Sequence, residues 1–198
     1  LKAHLNYGSI TVRGTARKDV LVKYSSVNDN SESEKKSSKE GLKRISGGTM
    51  DLEVSENTNY VKVESGSWNN KMDLEIEVPS GFDVKVSSYN DGDILITNIQ
   101  GEVEITTYNG EIAAENISGS VIATTYNGEI KVTFDKAKEG VPMSYSTYNG
   151  DIDITFPSTL KATFKMKTEQ GEILSGFDMN MIKTGPVQKK DSGSGTYK

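Results

Sequence analysis

Apolar and polar residues alternate along most of this chain, in runs too short for an amphipathic helix. The clearest stretch runs from Gly92 to Lys136, which can be written as five successive nine-residue lines: GDILITNIQ, GEVEITTYN, GEIAAENIS, GSVIATTYN and GEIKVTFDK. The third position is always Ile or Val (Ile94, Val103, Ile112, Val121, Ile130), and the fifth is Ile, Ala or Val (Ile96, Ile105, Ala114, Ala123, Val132). Side chains of a strand point alternately to its two faces, so this pattern predicts one short, half-buried strand per line. Gly restarts each line and polar residues end it, which places a turn at every junction.

The lines pair into a longer repeat, because TTYNGEI occurs at residues 106–112 and again at 124–130, eighteen positions on. If the Asn-Gly pairs at Asn109-Gly110, Asn127-Gly128 and Asn149-Gly150 closed hairpins, the strands would form an antiparallel meander. In-register recurrence favours parallel stacking instead, in which like residues lie about 4.8 Å apart on successive coils and each apolar row buries against the next. The expected fold is all-β: a single-stranded parallel β-helix, or β-solenoid, with Gly supplying positive φ after each Asn.

Related corners occur at NYGSITV (6–12), YNDGDIL (89–95, with Asp91 inserted), YNGDIDI (148–154) and EQGEIL (169–174). Longer spacings after Gly128 and Gly150 place loops at 135–142 and 157–162. Upstream, strand alternation is predicted at 20–24, 50–54, 60–63 and 72–78. The chain is expected to form one solenoid domain over 1–198. Irregular N-terminal coils fill 1–80, with a polar excursion at 28–44. Regular Gly-punctuated coils follow over 81–177, and a flexible tail over 189–198.

Composition narrows the functional classes. With 198 residues, one sizeable core suffices. A formal net charge of −5 sets most of the surface against a phosphate backbone, so no nucleic-acid partner is expected. The absence of cysteine excludes disulfides, thiolate catalysis and cysteine metal ligation. No run approaches the roughly 18 apolar residues of a transmembrane segment. Leu1 opens the chain without a signal-like run, which suggests a removed leader or a fragment.

The stretch VPSGFDVKVSSYNDGDI (78–94), followed by repeated TYNGEI and TYNGDI, resembles the bacterial adhesin-labelled families of unknown function that carry a DUF4097-type or DUF2807-type domain. The resemblance extends from NYGSITVRG (6–14) to GEILSGF (171–177). It implies an exported, Bacteroidetes-type protein of the periplasm, outer membrane or cell surface, and a right-handed helix. It brings no catalytic residues.

Three sets of residues could bind something. Tyr89, Tyr108, Tyr126 and Tyr148 precede Asn at equivalent corners and should stack into a ladder. If exposed, the ladder could grip sugar rings. The matching position of the alternate lines is Ile99 or Ile117, however, which favours a partly buried, structural corner. Beside it, Asn90, Asn109, Asn127 and Asn149 should form an amide ladder. The acidic row Asp93, Glu111, Glu129, Asp151 and Glu172 places like charges on neighbouring rungs. A solvated edge is the simpler account, with a facing row of Lys131, Lys161 and Lys165 or a calcium ion as compensation. These lines lack the Gly-Gly-x-Gly-x-Asp of calcium-roll repeats. Trp68, the single tryptophan, is either a ligand anchor or a cap over an end of the stack.

The regularly spread acids do not make the paired carboxylates of a glycosidase, and His4 reads as a surface residue rather than a general base. No GxSxG, P-loop or GxGxxG is present. A non-catalytic surface module binding a glycan or protein is therefore expected, with no cofactor unless calcium. A self-assembling scaffold or spacer, joined as a homo-oligomer through open ends, is the alternative. A carbohydrate-active β-helix enzyme ranks below both.

Overall fold

The computed structural model describes residues 1–26, 52–180 and 196–197. The polar run 28–44, residues 50–51 of the strand expected at 50–54, and residues 189–195 and 198 of the expected tail lie outside the described residues. The chain divides into two compact units, Leu1–Ser158 and Thr159–Lys198. Among the described residues no helix is long and apolar enough to cross a membrane.

The first unit is the solenoid. Its strands are β1 (Lys2–Tyr7), β2 (Ile10–Thr15), β3 (Leu21–Ser26), β4 (Leu52–Asn57), β5 (Tyr60–Ser65), β6 (Met72–Pro79) and β7 (Val84–Asn90). They continue with β8 (Ile94–Thr97), β9 (Glu102–Thr107), β10 (Ile112–Ile117), β11 (Ser120–Asn127), β12 (Ile130–Phe134), β13 (Ser144–Asn149) and β14 (Ile152–Thr155). Two seven-stranded sheets result, ordered β13-β11-β9-β7-β1-β5-β4 and β14-β12-β10-β8-β2-β6-β3. Each coil gives one strand to each sheet, and the buried residues of both form one core.

Parallel register stacks like on like, as the repeat requires. One column runs Leu74, Ile10, Ile94, Ile112, Ile130, Ile152, and the next Ile76, Val12, Ile96, Ala114, Val132, Ile154. In the facing sheet Val63, Ala3, Val86, Ile105 and Ala123 align and end on Tyr145, whose partly buried phenol is pushed to a higher pKa by desolvation.

Two features depart from the simple stack. The first coil, β1–β2, lies between β5–β6 and β7–β8, so stack order differs from chain order. Beyond β5–β6 the last strands among the described residues are β4 and β3, which pair antiparallel with β5 and β6 and change the parallel stack into an antiparallel rung.

At the other end the coils stop at β14. The coil expected at Gly171 is not formed: residues 171–174 carry no strand. The second unit instead pairs β15 (Met166–Lys167) antiparallel with β16 (Thr196–Tyr197). Glycine and polar residues at the right spacing do not make a rung there: LKATFKMK (160–167) alternates apolar with polar residues, yet these are half-buried or exposed rather than enclosed as in β9 to β12.

Candidate functional site

The Ser/Thr-Tyr-Asn corner recurs on four rungs, followed at once by Gly on three and by the inserted Asp91 on the first. Ser88, Thr107, Thr125 and Thr147 point inward and donate their hydroxyls to the carbonyls of Gly8, Gly92, Gly110 and Gly128, at 2.9–3.2 Å. Each bond ties one coil to a neighbour, and the apolar pattern gave no sign of it. The next residue then faces out. Tyr89, Tyr108 and Tyr126 are 40–42% exposed and Tyr148 is 72% exposed. Their rings stack at 4.8–4.9 Å with interplanar angles of 1–7°.

The equivalence with Ile99 and Ile117 fails, since both isoleucines are fully buried. Asn98 and Asn116, just before them, adopt left-handed φ of 59° and 55°, which turns the next side chain inward. At Tyr89, Tyr126 and Tyr148 the strand runs on extended and alternation sends the ring outward.

The amide ladder forms as expected. Asn149 Nδ2 donates to Asn127 Oδ1 and Asn127 Nδ2 to Asn109 Oδ1, both at 2.8 Å, while the Asn109 to Asn90 link is looser at 3.4 Å. The ladder ends there because Tyr7, not an asparagine, aligns with Asn90 on β1. The order NYG at 6–8, in place of YNG, makes that exchange visible in the sequence.

Trp68 neither caps the stack nor stands alone. It is 55% exposed and meets Tyr89 with centroids 5.2 Å apart at 77°, so it ends the tyrosine ladder edge-on. Tyr7, Trp68, Asn90, Asp91 and Asn109 line an open cleft of about 490 Å³. Lys71 Nζ lies 3.3 Å from Asp91 Oδ2 and 5.9 Å from the centre of the Tyr7 ring. Its hydrogen bond to Asp91 raises the ammonium pKa, so Lys71 is charged at neutral pH. The sequence pointed to Trp68 but not to Tyr7, Lys71 or Asp91, and Tyr7 joins them because the first coil is intercalated.

The acidic row stacks on four rungs. The main-chain carbonyls of Asp93, Glu111, Glu129 and Asp151 accept in turn from Ile10, Ile94, Ile112 and Ile130. Asp93 Oδ1 accepts the Glu111 backbone N–H at 2.9 Å, so one carboxylate is spent on the main chain. Ser9 continues the column and donates its N–H and hydroxyl to Asp73 Oδ1. Glu172 belongs to the second unit and to no rung of the first. Among the described residues no ion pair joins Lys131 to the row, and no group of three or more acidic or histidine side chains could hold a metal ion. His4 is held by Ser87 Oγ at 2.8 Å and Asn6 Oδ1 at 3.0 Å.

Comparison with known proteins supports the same architecture. The chain is similar in fold to the crystal structure of a "putative cell adhesion protein" from Clostridium sporogenes, with 13% identity and a TM-score of 0.52 over 78% of this chain and 91% of that one. No curated protein matches it. The family model described as Toastrack DUF4097 matches residues 83–197, more than half of the chain, a span that contains the tyrosine ladder but neither Tyr7 nor Trp68. The chain belongs to the Toastrack DUF4097 family.

Proposed function

We propose that this chain is a non-catalytic interaction module, exported or displayed at the cell surface, that binds a glycan or a protein along its tyrosine corner. The observation that carries this reading is the ladder itself. Four exposed phenol rings repeat at 4.8–4.9 Å on a rigid sheet, amphipathic groups whose positions are set by the backbone stack. The structural neighbour's description as a "putative cell adhesion protein" supports an extracytoplasmic setting.

A glycan-array and surface-extract binding screen, run with calcium and with chelator, tests the reading. Binding weakened about tenfold or more by Tyr108→Ala or Trp68→Ala supports it. Loss in chelator would bring in the column of Asp93, Glu111, Glu129 and Asp151. Absence of binding in both conditions would overturn it.

A scaffold or spacer is the second reading, and it has its own observation. Among the described residues β13 and β14 are the last strands of their sheets and Ile152 is 44% exposed, so the stack could be extended by a second copy at the end opposite β3 and β4. Concentration-dependent oligomers without ligand binding would favour it.

A further inference from the structure

Stacked rings hide their faces. Tyr108 and Tyr126 each have a tyrosine on both sides, so neither can offer the flat surface on which the C–H face of a sugar packs. Tyr89 is covered by Tyr108 on one side and approached by Trp68 on the other. Along its length the ladder presents ring edges and hydroxyls. A face-on aromatic platform is left only at the ladder's ends, Trp68 at one and Tyr148 at the other.

The two ends differ in their surroundings. The Trp68 end opens into the cleft of about 490 Å³, within the roughly 300–1,000 Å³ of small-ligand sites. There the amide ladder is at its loosest, and Asn90 Nδ2 has no acceptor among the described residues. Asp91 is the residue inserted into the repeating corner, and it holds a left-handed φ of 46°, which costs a non-glycine residue about 1 kcal/mol. Neither the period nor the packing asks for it. Its effect is to bring a carboxylate, paired with Lys71, to the same cleft.

We propose that this cleft is a saccharide site, in which the Trp68 indole packs against the C–H face of a pyranose while Asn90 Nδ2 donates to, and the Asp91 carboxylate accepts from, its hydroxyls. The proposal rests on the interaction-module reading and narrows it to one ligand class and one place. The phenol row then serves as a rail of hydroxyls for further sugar units rather than as a set of platforms.

Trp68 is the only tryptophan in the chain, so its fluorescence reports on the cleft alone. The full chain is titrated with neutral gluco-, galacto-, manno- and N-acetylglucosamine oligosaccharides while Trp emission is followed, and affinities of variants are measured by calorimetry. One class should shift the emission saturably. Trp68→Ala and Asp91→Gly should weaken it about tenfold or more, and Ile122→Ala, at an exposed residue of β11 outside the cleft and the tyrosine row, should leave it unchanged. Asp91→Gly suits the left-handed backbone, so its loss of binding cannot be laid to misfolding. A glycan that binds without moving Trp emission, or whose binding is lost in Tyr148→Ala and kept in Trp68→Ala, overturns the cleft and leaves the module reading standing. Retention of surface protein with no response to any saccharide does the same. Failure to bind either overturns both.

Discussion

Gly128 shows what the repeat asks of a single residue. Its φ is 151°, and a Cβ built there would overlap the carbonyl oxygen of Gly110 on the neighbouring coil. Gly128→Ala is therefore expected to lower stability by about 2–4 kcal/mol, read as a fall in denaturation midpoint at unchanged slope. Gly81→Ala, where the space is open, should stay within about 0.5 kcal/mol. Equal effects at the two sites would mean that the corner is not packed backbone on backbone. The sequence marked these glycines for the turn after Asn, which suits Gly128 and Gly150 with φ of 151° and 146°. Gly110 is not among the positive-φ residues. There the demand is for room against the Gly92 backbone, and a letter in a sequence does not separate a need for φ from a need for space.

At the scale of the strand, alternation was legible wherever one face is buried. Ile94, Ile112 and Ile130 align on successive rungs and are almost wholly enclosed. Ile112→Asp removes about 1.5–3 kcal/mol of burial and adds an unpaired carboxylate to the core, so the coil should not survive it. Neighbouring Glu111 is exposed and should tolerate Ala within about 0.5 kcal/mol. A circular-dichroism melt in which Ile112→Asp matched the parent would sink the solenoid. Alternation failed at the corners, where the backbone leaves the strand. Ile117 and Tyr126 hold the same place in their lines, yet the left-handed Asn116 turns the first inward and the extended backbone of β11 turns the second out. The exposed ladder was thus hidden from the pattern, although its stacking was not.

On the scale of the whole solenoid, register and order are separate facts. Like positions repeat on every coil, so a sequence with this period states which residues align but not which coils touch. NYGSITV reads equally well as an outermost rung and as the inner rung it becomes, between β5–β6 and β7–β8. The cleft at Trp68 depends on that intercalation and was illegible for the same reason. In a stack where each coil contacts only its neighbours, stability follows the place in the stack rather than the place in the chain. Strands β1 and β2, although they open the chain, should then exchange their amide protons as slowly as β9 and β10, which also have a coil on each side. Strand β14, with β12 on one side and an exposed face, should exchange orders of magnitude sooner. Hydrogen exchange read by mass spectrometry on peptides covering 2–15, 102–117 and 152–155 makes the comparison. Fast exchange over 2–15 would return the first coil to the edge of the stack and dissolve the cleft with it.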